Sequence, residues 1–245
     1  MMMKFIRREL EDYKHLLRAI PSLTVSLFVV SVILMNLLAN KEIYTGLSWL
    51  ALDCGFLVSW LSFLSMDVIT KRFGARAATK ISILAISINL LVCLMLFLIS
   101  LIPGNWGESY THNNFDLVNK ALNNTFGGTW YILMGSTIAL LISSAVNNFL
   151  NSAIGKMLKS NSFRAYAVRS YVSTAVGQFL DNLLFALIVS LHFFGWSFLQ
   201  CLTCSVAGAL VELVCEVVFS PIGYSICKGW EEDNVGESYL QRASK

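Results

Sequence analysis

Charged residues are scarce in this sequence. Asp, Glu, Lys and Arg make up 13% of its 245 residues, whereas hydrophobic residues make up 56%. A typical soluble domain has about 25% charged residues, and the mean hydropathy of this chain is +0.65. The composition therefore excludes an ordinary soluble domain and indicates an integral membrane protein.

The sequence also lacks the common catalytic and nucleotide-binding motifs. It has no Gly-x-Ser-x-Gly nucleophile motif, no His-Glu-x-x-His zinc motif and no phosphate-binding P-loop. The three histidines, His15, His112 and His192, fall in separate regions and do not predict a metal site. These absences argue against an intramembrane enzyme and against ATP-driven pumping by this chain alone. We therefore predict a protein that is not an enzyme and that needs neither a cofactor nor a metal.

Nearly all of the six cysteines lie within apolar runs, where cysteine behaves as a small hydrophobic residue. We therefore expect free thiols and no disulfide framework. Cys201 and Cys204 have the spacing of a redox or metal pair, but their position inside an apolar segment favours structural packing.

Long apolar segments between polar turns predict six transmembrane helices, because a helix needs about 20 apolar residues to cross a bilayer. The first four lie at 20–40, 47–66 (with Asp53 inside it), 81–102 and 129–150. The region 170–211 is too long for one span, and Gly195 marks the turn between the fifth and sixth helices. Pro221 should kink or end the sixth helix. The first apolar segment has no signal-peptidase cleavage site after it, so it should remain in the protein.

The positive charges fall on alternate sides of these helices. Of the 18 Lys and Arg residues, 16 lie in the N-terminal segment, in alternate loops and in the C-terminal tail, while Lys41 and Lys120 lie in the other loops. Cationic loops stay in the cytoplasm. We therefore predict an all-α six-helix bundle with both termini inside. Its parts are a cytoplasmic segment at 1–19, a transmembrane domain at 20–226 and a cytoplasmic tail at 227–245.

The longest outer connection, 103–128, is rich in polar residues and includes His112, Asn113 and Asn114. We interpret it as polar cover exposed to solvent rather than as a lid over a substrate.

Three carboxyl groups and one amide lie within the last two predicted helices. Asp181 is at the middle of the fifth helix with Gln178 on the same face, and Glu212 and Glu216 are one turn apart on the sixth. Gln178 is 17 residues before Gly195, and Glu212 is 17 residues after it. Because the two helices should be antiparallel neighbours, Gln178 and Glu212 should meet at one depth, with Asp181 about 4.5 Å away along its helix.

A charged group in hydrocarbon costs at least about 2.5 kcal/mol on insertion scales, so such groups usually face a partner, a cavity or a pathway. The cluster is compatible with hydrogen bonding between helices, but three ionisable groups at related depth favour a solute or proton site. Two further polar stripes are as compatible with helix packing as with lining a pore: Ser136, Ser143, Asn147 and Asn151 on the fourth helix, and Asn36 and Asn40 on the first.

Four stretches together resemble the signatures of a known transporter family. They are Asn36-Leu-Leu-Ala-Asn40-Lys41, Asp67-Val-Ile-Thr-Lys-Arg-Phe-Gly74, Arg169-Ser-Tyr-Val-Ser-Thr-Ala-Val-Gly-Gln-Phe-Leu-Asp181-Asn-Leu-Leu-Phe185 and Glu216-Val-Val-Phe-Ser-Pro-Ile-Gly-Tyr224. The chain resembles the bacterial queuosine precursor transporter family, also called the vitamin uptake transporter family. The third stretch is the most specific, because few membrane families place Arg, Gln and Asp at those intervals.

The resemblance implies a six-helix carrier of the bacterial inner membrane that takes up 7-deazaguanine precursors of the tRNA nucleoside queuosine, such as the cyano and aminomethyl bases. A carboxylate can accept hydrogen bonds from the N1–H and 2-amino edge of such a base, and an amide can bond its O6. Four aromatic residues are candidates for stacking on the ring: Phe56, Trp60, Phe179 and Phe185.

The chain departs from the family pattern at two charged positions. The family usually has Glu where this chain has Lys71 and Lys where it has Glu212. If these positions touch, the exchange keeps a salt bridge, so we predict that Lys71 and Glu212 are coupled. The family's proline near Trp60 is also missing.

The sequence thus predicts a small, nucleobase-like substrate within a lipid bilayer, with no nucleic-acid partner and with homo-oligomerisation left open. The candidate substrate-binding residues are Asp181, Gln178, Glu212, Glu216, Asn36 and Asn40, and the candidate coupling or gating residues are Asp67, Lys71 and Arg169. Two alternatives stay open: uptake of another vitamin-like solute, and a substrate-capture subunit of a larger energised importer.

Overall fold

The computed structural model of this protein describes residues 2–43, 45–47, 49–50, 52–107, 115–128 and 130–243, without the side chains of 2–6, 8 and 115. The described chain is helical apart from one short two-stranded ladder. The helices are α1 (Met2–Ala19), α2 (Ser22–Leu38), α3 (Phe56–Phe73), α4 (Ala75–Ser100), α5 (Phe115–Gly127), α6 (Trp130–Leu158), α7 (Phe163–Phe185), α8 (Leu191–Phe193), α9 (Phe198–Glu232) and α10 (Glu237–Ala243).

Helix α1 turns sharply into α2. The segments Glu9–Ala19 and Ser22–Leu38 meet at an angle of 106°, and Pro21 stands at the start of α2. Proline is favoured at a helix start, where its missing N–H leaves no bond unmade. Lys80 of α4 forms an ion pair with Glu9 at 2.7 Å. This contact holds α1 against the first part of α4.

The predicted position of the second helix, 47–66, is wrong. Strand β1 (Glu42–Ile43) pairs antiparallel with β2 (Leu52–Asp53), and α3 begins only at Phe56. Asp53 therefore lies in a strand before the helix, where its carboxylate accepts a hydrogen bond from the Gly55 N–H at 2.7 Å. At its other end α3 runs past Met66 to Phe73, because polar side chains on neighbouring helices meet its polar residues.

Helices α3, α6 and α7 approach closely at Gly177. A Cβ atom there would lie 2.8 Å from the Phe63 ring and 3.0 Å from the Asn147 Cβ. Glycine is therefore required at this crossing, as is common where helices pack in membranes. The close approach brings the polar stripe of α6 within reach of α3 and α7.

The predicted turn at Gly195 is confirmed. Helix α7 continues through a π-helical segment (Ala186–Ser190) into α8, and Gly195 then takes a positive φ of 71°. Such a φ strains residues with a Cβ and suits glycine. Ser197 caps α9 by accepting a hydrogen bond from the Gln200 N–H at 3.2 Å. The antiparallel pair α7 and α9 follows from this turn.

Pro221 does not end the last long helix, which continues to Glu232. A proline inside a helix leaves the carbonyl four residues earlier without its usual N–H donor. Here that carbonyl belongs to Val217, and it accepts a hydrogen bond from the Ser220 hydroxyl at 3.2 Å. The local substitute donor explains why the helix passes through the proline.

The outer connection contains helix α5, which the sequence interpretation did not predict. Gly127 at the end of α5 packs against α4, since a Cβ there would lie 2.9 Å from the Ser100 Cβ. His112, Asn113 and Asn114 lie outside the described residues.

The protein is a multi-pass membrane protein by the length and composition of its helices. Within the described residues, four segments are long and apolar enough to cross a bilayer: Ala75–Ser100, Asp116–Leu158, Phe163–Phe193 and Phe198–Glu232. The bent pair of α1 and α2 adds a fifth if it is one span. The arrangement of six spans with both termini inside stays a prediction from the sequence.

Cysteine labelling tests that topology. In a background without native cysteines, Lys120→Cys on the exposed face of α5 and Ser160→Cys in the exposed turn after α6 give opposite results. We expect a membrane-impermeant maleimide to label the first in intact cells and the second only after permeabilisation. The reverse pattern would contradict the positive-inside assignment.

Candidate functional site

Buried and half-buried polar side chains in the bundle include two groups at different heights. We call Ser59, Ser143, Gln178, Asp181, Asn182 and Glu212 the cavity cluster, and Asp67, Asn147, Ser170, Thr174 and Glu216 the core cluster. Their positions follow from helical spacing, because side chains four residues apart share a face. Helix α7 places Ser170, Thr174, Gln178 and Asn182 in one row, and α9 places Glu212 and Glu216 opposite.

Glu212 is the centre of the cavity cluster. It is 1% exposed, and its carboxylate accepts hydrogen bonds from the Ser59 hydroxyl and from Asn182 Nδ2 at 3.1 Å. With the Gln178 amide oriented so that its nitrogen faces Glu212, the Nε2–Oε2 distance is 2.9 Å. The predicted meeting of Gln178 and Glu212 at one depth is confirmed, although Gln178 does not line the cavity.

Asp181 lies at the wall of this cavity and is 8% exposed. Its Oδ1 atom accepts a hydrogen bond from the Ser143 hydroxyl at 2.7 Å. Among the described residues, the Ser143 hydroxyl is the one donor to the Asp181 carboxylate. Asp181 can therefore accept further hydrogen bonds, whereas both carboxylate oxygens of Glu212 already accept them.

The cavity has a volume of about 50 Å³ and lies between α2, α3, α6, α7 and α9. Such a volume holds a few water molecules. Its lining includes Asn36, Phe56, Ser59, Asp181, Asn182, Phe185 and Glu212. The wall thus combines carboxyl and amide groups with two aromatic rings.

Five of the candidate residues from the sequence are outside the cavity lining, Gln178 and Glu216 among them. Asn40 is outside the cavity lining, and its amide donates to the Leu37 carbonyl at 3.1 Å. Trp60 stacks on Phe219, with ring centroids 4.1 Å apart. Phe179 is likewise not part of the lining. Trp60 and Phe179 are on other faces of their helices, whereas Asn40 lies in the turn after α2.

Asp53 lies at the edge of the cavity, in the ladder before α3. Burial raises the pKa of Asp53 to about 6, and the hydrogen bond from the Gly55 N–H opposes that shift. The negative charge at this edge is therefore lost as the pH falls through about 6.

The core cluster is built around Asp67, which is fully buried. Its carboxylate accepts hydrogen bonds from Asn147 Nδ2 at 3.0 Å, from the Thr174 hydroxyl at 3.3 Å and from the Ser170 hydroxyl. Ser170 also contacts Glu216. Glu216, which the sequence interpretation named as a candidate substrate-binding residue, therefore belongs to the core cluster and is not part of the cavity lining.

Arg169 lies beside the core cluster and is held by α6. Its Nε atom donates to Asn151 Oδ1 at 2.7 Å, and Nη2 donates to the same oxygen. A Cβ at position 155 would lie 2.6 Å from the Arg169 guanidinium. Gly155 thus leaves the space in which the guanidinium sits against α6.

Lys71 does not lie near Glu212, so the predicted charge pair is absent from this conformation. Its Nζ atom lies 3.5 Å from Glu231 and 5.0 Å from the centroid of the Tyr224 ring. Lys71 and Ser59, the α3 partner of Glu212, are 12 residues apart in α3, which is about 18 Å along a helix. The charge at Lys71 is balanced by Glu231 and by aromatic contacts.

Sequence reasoning missed Ser59, Asn182 and Glu231 as parts of these networks. Asn182 could have been found, because it lies four residues after Gln178 on the same helical face. Ser59 lies within the predicted second helix, but a lone serine there gave no signal of its contact with Glu212. Glu231 was assigned to the tail, whereas α9 continues to Glu232.

Charge exchange tests the partner of Lys71. Lys71→Glu should lower the melting temperature in detergent, and adding Glu231→Lys should restore most of the loss, with a coupling energy of about 0.5–3 kcal/mol. Adding Glu212→Lys should not restore it. Recovery with Glu212→Lys instead would show that the two residues named by the sequence interpretation pair after all.

Adding a methyl group at Gly155 tests how Arg169 packs against α6. Gly155→Ala should displace the guanidinium from Asn151 and destabilise the protein by about 1–3 kcal/mol, as overpacking does. The matched control is Gly229→Ala, since a Cβ there meets no atom within 4 Å. Thermal unfolding of the purified variants measures both, and equal stability of the two would refute the packing argument.

Comparison with known proteins adds the family. A family model described as "putative vitamin uptake transporter" matches residues 53–226, which include α3 to most of α9 and every member of both clusters. Searches of curated proteins and of solved structures found no significant match. Since the matched region covers most of the chain, the protein belongs to this family of vitamin uptake transporters, which are carriers of small molecules and not enzymes.

Proposed function

We propose that this protein imports 7-deazaguanine precursors of queuosine, as the cyano or aminomethyl base or as queuine, across the bacterial inner membrane. Family membership supports the transport of a small molecule. The resemblance of the stretch from Arg169 to Phe185 to queuosine precursor transporters supports this class of substrate. The observation that carries the proposal is the carboxylate of Asp181 at the wall of a buried cavity.

Asp181 suits the hydrogen-bonding edge of a guanine-like base. Its Oδ1 atom accepts from Ser143, and each carboxylate oxygen can accept further hydrogen bonds. The N1–H and 2-amino groups of the base are two donors in a row, which a carboxylate can meet with both oxygens. A residue that costs so much to bury in a membrane is expected to have such a role.

The remaining wall offers groups for the other parts of a base. The side-chain amides of Asn36 and Asn182 lie on the cavity, and an amide N–H can donate to the O6 atom of the base. Phe56 and Phe185 also line it, and their rings are suited to stacking on a planar ligand. Of the four aromatic candidates in the sequence, these two are therefore the ones that we propose as contacts.

A bicyclic base needs more room than the few water molecules that a volume of about 50 Å³ accommodates. We infer that the described conformation is a closed one and that the cavity widens on binding. Phe185 directly precedes the π-helical segment of α7, and such segments are common at functional sites. Phe56 is the first residue of α3. Both rings are thus at helix positions where the backbone can adjust.

Substitutions in the site test this proposal. Asp181→Asn exchanges an acceptor oxygen for an NH2 donor, which would face the donors of the base. We expect it to weaken binding by about 1.5–3 kcal/mol, whereas Gln178→Ala, which removes a side chain that contacts Glu212 behind the wall and not the cavity, should cost about 1 kcal/mol. Asn40→Ala is the control, because Asn40 is outside the cavity lining. Equilibrium binding of a radiolabelled 7-deazaguanine base to the purified proteins measures which variant loses more affinity. Unchanged binding by Asp181→Asn would contradict recognition by Asp181.

Complementation identifies the substrate and tests the alternatives. The chain is expressed in a bacterium that can neither make nor import the precursor, and queuosine is assayed in its tRNA after each candidate base is supplied. We expect the cyano or aminomethyl base to restore queuosine. Uptake by the purified protein in liposomes would exclude a capture subunit that depends on a larger importer. Restoration by none of the bases would favour another vitamin-like solute.

A further inference from the structure

The core cluster holds one hydroxyl group between two carboxyl groups. Ser170 Oγ lies within hydrogen-bonding distance of Asp67 Oδ2 and of Glu216 Oε1. A serine hydroxyl has a single hydrogen and can donate to one of these oxygens at a time. The second contact is a hydrogen bond only if the other carboxyl group is protonated. Hydrogen bonding at both contacts therefore implies a proton on Asp67 or on Glu216.

The other contacts of the two carboxyl groups differ. Asp67 accepts hydrogen bonds from Asn147 and Thr174 as well as from Ser170, so its oxygens face donors, as those of an ionised carboxylate do. Glu216 is fully buried, and its Oε2 atom has no hydrogen-bond partner among the described residues. The consistent arrangement has the proton on Glu216, which donates to Ser170, which in turn donates to Asp67.

The surrounding charges agree with one proton in the cluster. Arg169 of α7 interacts electrostatically with Asp67, and Lys71 of α3 is already paired with Glu231. In the described part of the chain, Tyr166 of α7 and Cys227 of α9 also interact electrostatically with the cluster, and both are neutral in their protonated forms. One cation is thus available for two carboxyl groups, and an uncompensated charge at this depth is costly.

A metal cation would fit this geometry less well than a proton does. Cations such as Na⁺ are held by several oxygen atoms arranged around the ion, which keeps those oxygens apart. Here the hydroxyl of Ser170 contacts a carboxyl oxygen on each side directly. The described residues also contain no group of three or more acidic, histidine or cysteine side chains placed to hold a metal ion.

We propose that Glu216, Ser170 and Asp67 form the proton-binding site that couples substrate uptake to proton entry. The inference rests on the proposed function and adds its driving ion. Glu216 lies one helical turn from Glu212 on α9, and Gln178, which contacts Glu212, lies two turns from Ser170 on α7. Loss of the proton leaves two carboxylates facing one hydroxyl and one guanidinium. That repulsion favours a different packing of α7 against α9, next to the cavity.

Transport in liposomes separates coupling from binding. We expect an inwardly directed proton gradient to drive the wild-type protein to accumulate a 7-deazaguanine base inside the liposomes. The base used is the one that restores queuosine in the complementation experiment. Glu216→Gln resembles the protonated residue, and we expect it to retain substrate counterflow while losing at least ten-fold in gradient-driven accumulation. Glu232→Gln is the control, because Glu232 is an exposed residue of the same helix and should behave as the wild type. Wild-type accumulation by Glu216→Gln, or accumulation driven by a sodium gradient instead, would overturn the coupling site.

A second measurement does not depend on the substrate. Infrared difference spectra of the purified protein between acid and alkaline pH should contain the C=O band of a protonated carboxyl group, and Glu216→Gln should lose it. Ser170→Ala should shift the pH at which the band titrates, and it tests the cluster if Glu216→Gln does not fold. A band that neither variant alters would refute the assignment. If no base shows counterflow but the band behaves as expected, the proposed substrate is wrong and the proton site stands.

Discussion

Carboxyl groups buried in a membrane-spanning bundle must find hydrogen-bond partners within the protein, because lipid offers none. This constraint organises the centre of the molecule. Glu212 is met by α3 and α7, Asp67 by α6 and α7, and Asp181 by α6. These bonds require α3, α6, α7 and α9 to pack closely, and Gly177 permits a close approach where α3, α6 and α7 cross, because it has no side chain.

The same constraint separates the proposed substrate site from the proposed proton site. Glu212 has donors for both carboxylate oxygens and is part of the cavity wall, while Asp181 has one described hydrogen bond and faces the cavity. One turn further along α9, Glu216 shares a hydroxyl with Asp67 and has no contact with the cavity. A substrate can therefore be bound at one group of carboxyls and a proton at another, with α7 and α9 common to both.

The departures from the sequence interpretation have a shared cause. Phe179 and Glu216 are at suitable positions along their helices, but their helices turn them away from the cavity. Lys71 was paired with Glu212 because both positions differ from the family pattern, and in the folded chain each has another partner. Helical spacing predicts which residues share a face, but the direction of that face depends on the neighbouring helices.

The sequence alone predicted the membrane location, the antiparallel pair of helices around Gly195 and the common depth of Gln178 and Glu212. These properties depend on quantities that act along one axis, namely hydropathy, length and the rise per residue of a helix. Only the tertiary structure decided that α3 begins after a β ladder, that Asp181 faces a cavity and that Ser170 joins Asp67 to Glu216. Those outcomes depend on helix rotation and on contacts between distant parts of the chain, which no local pattern specifies. Ser170 is 103 positions from Asp67 and 46 positions from Glu216.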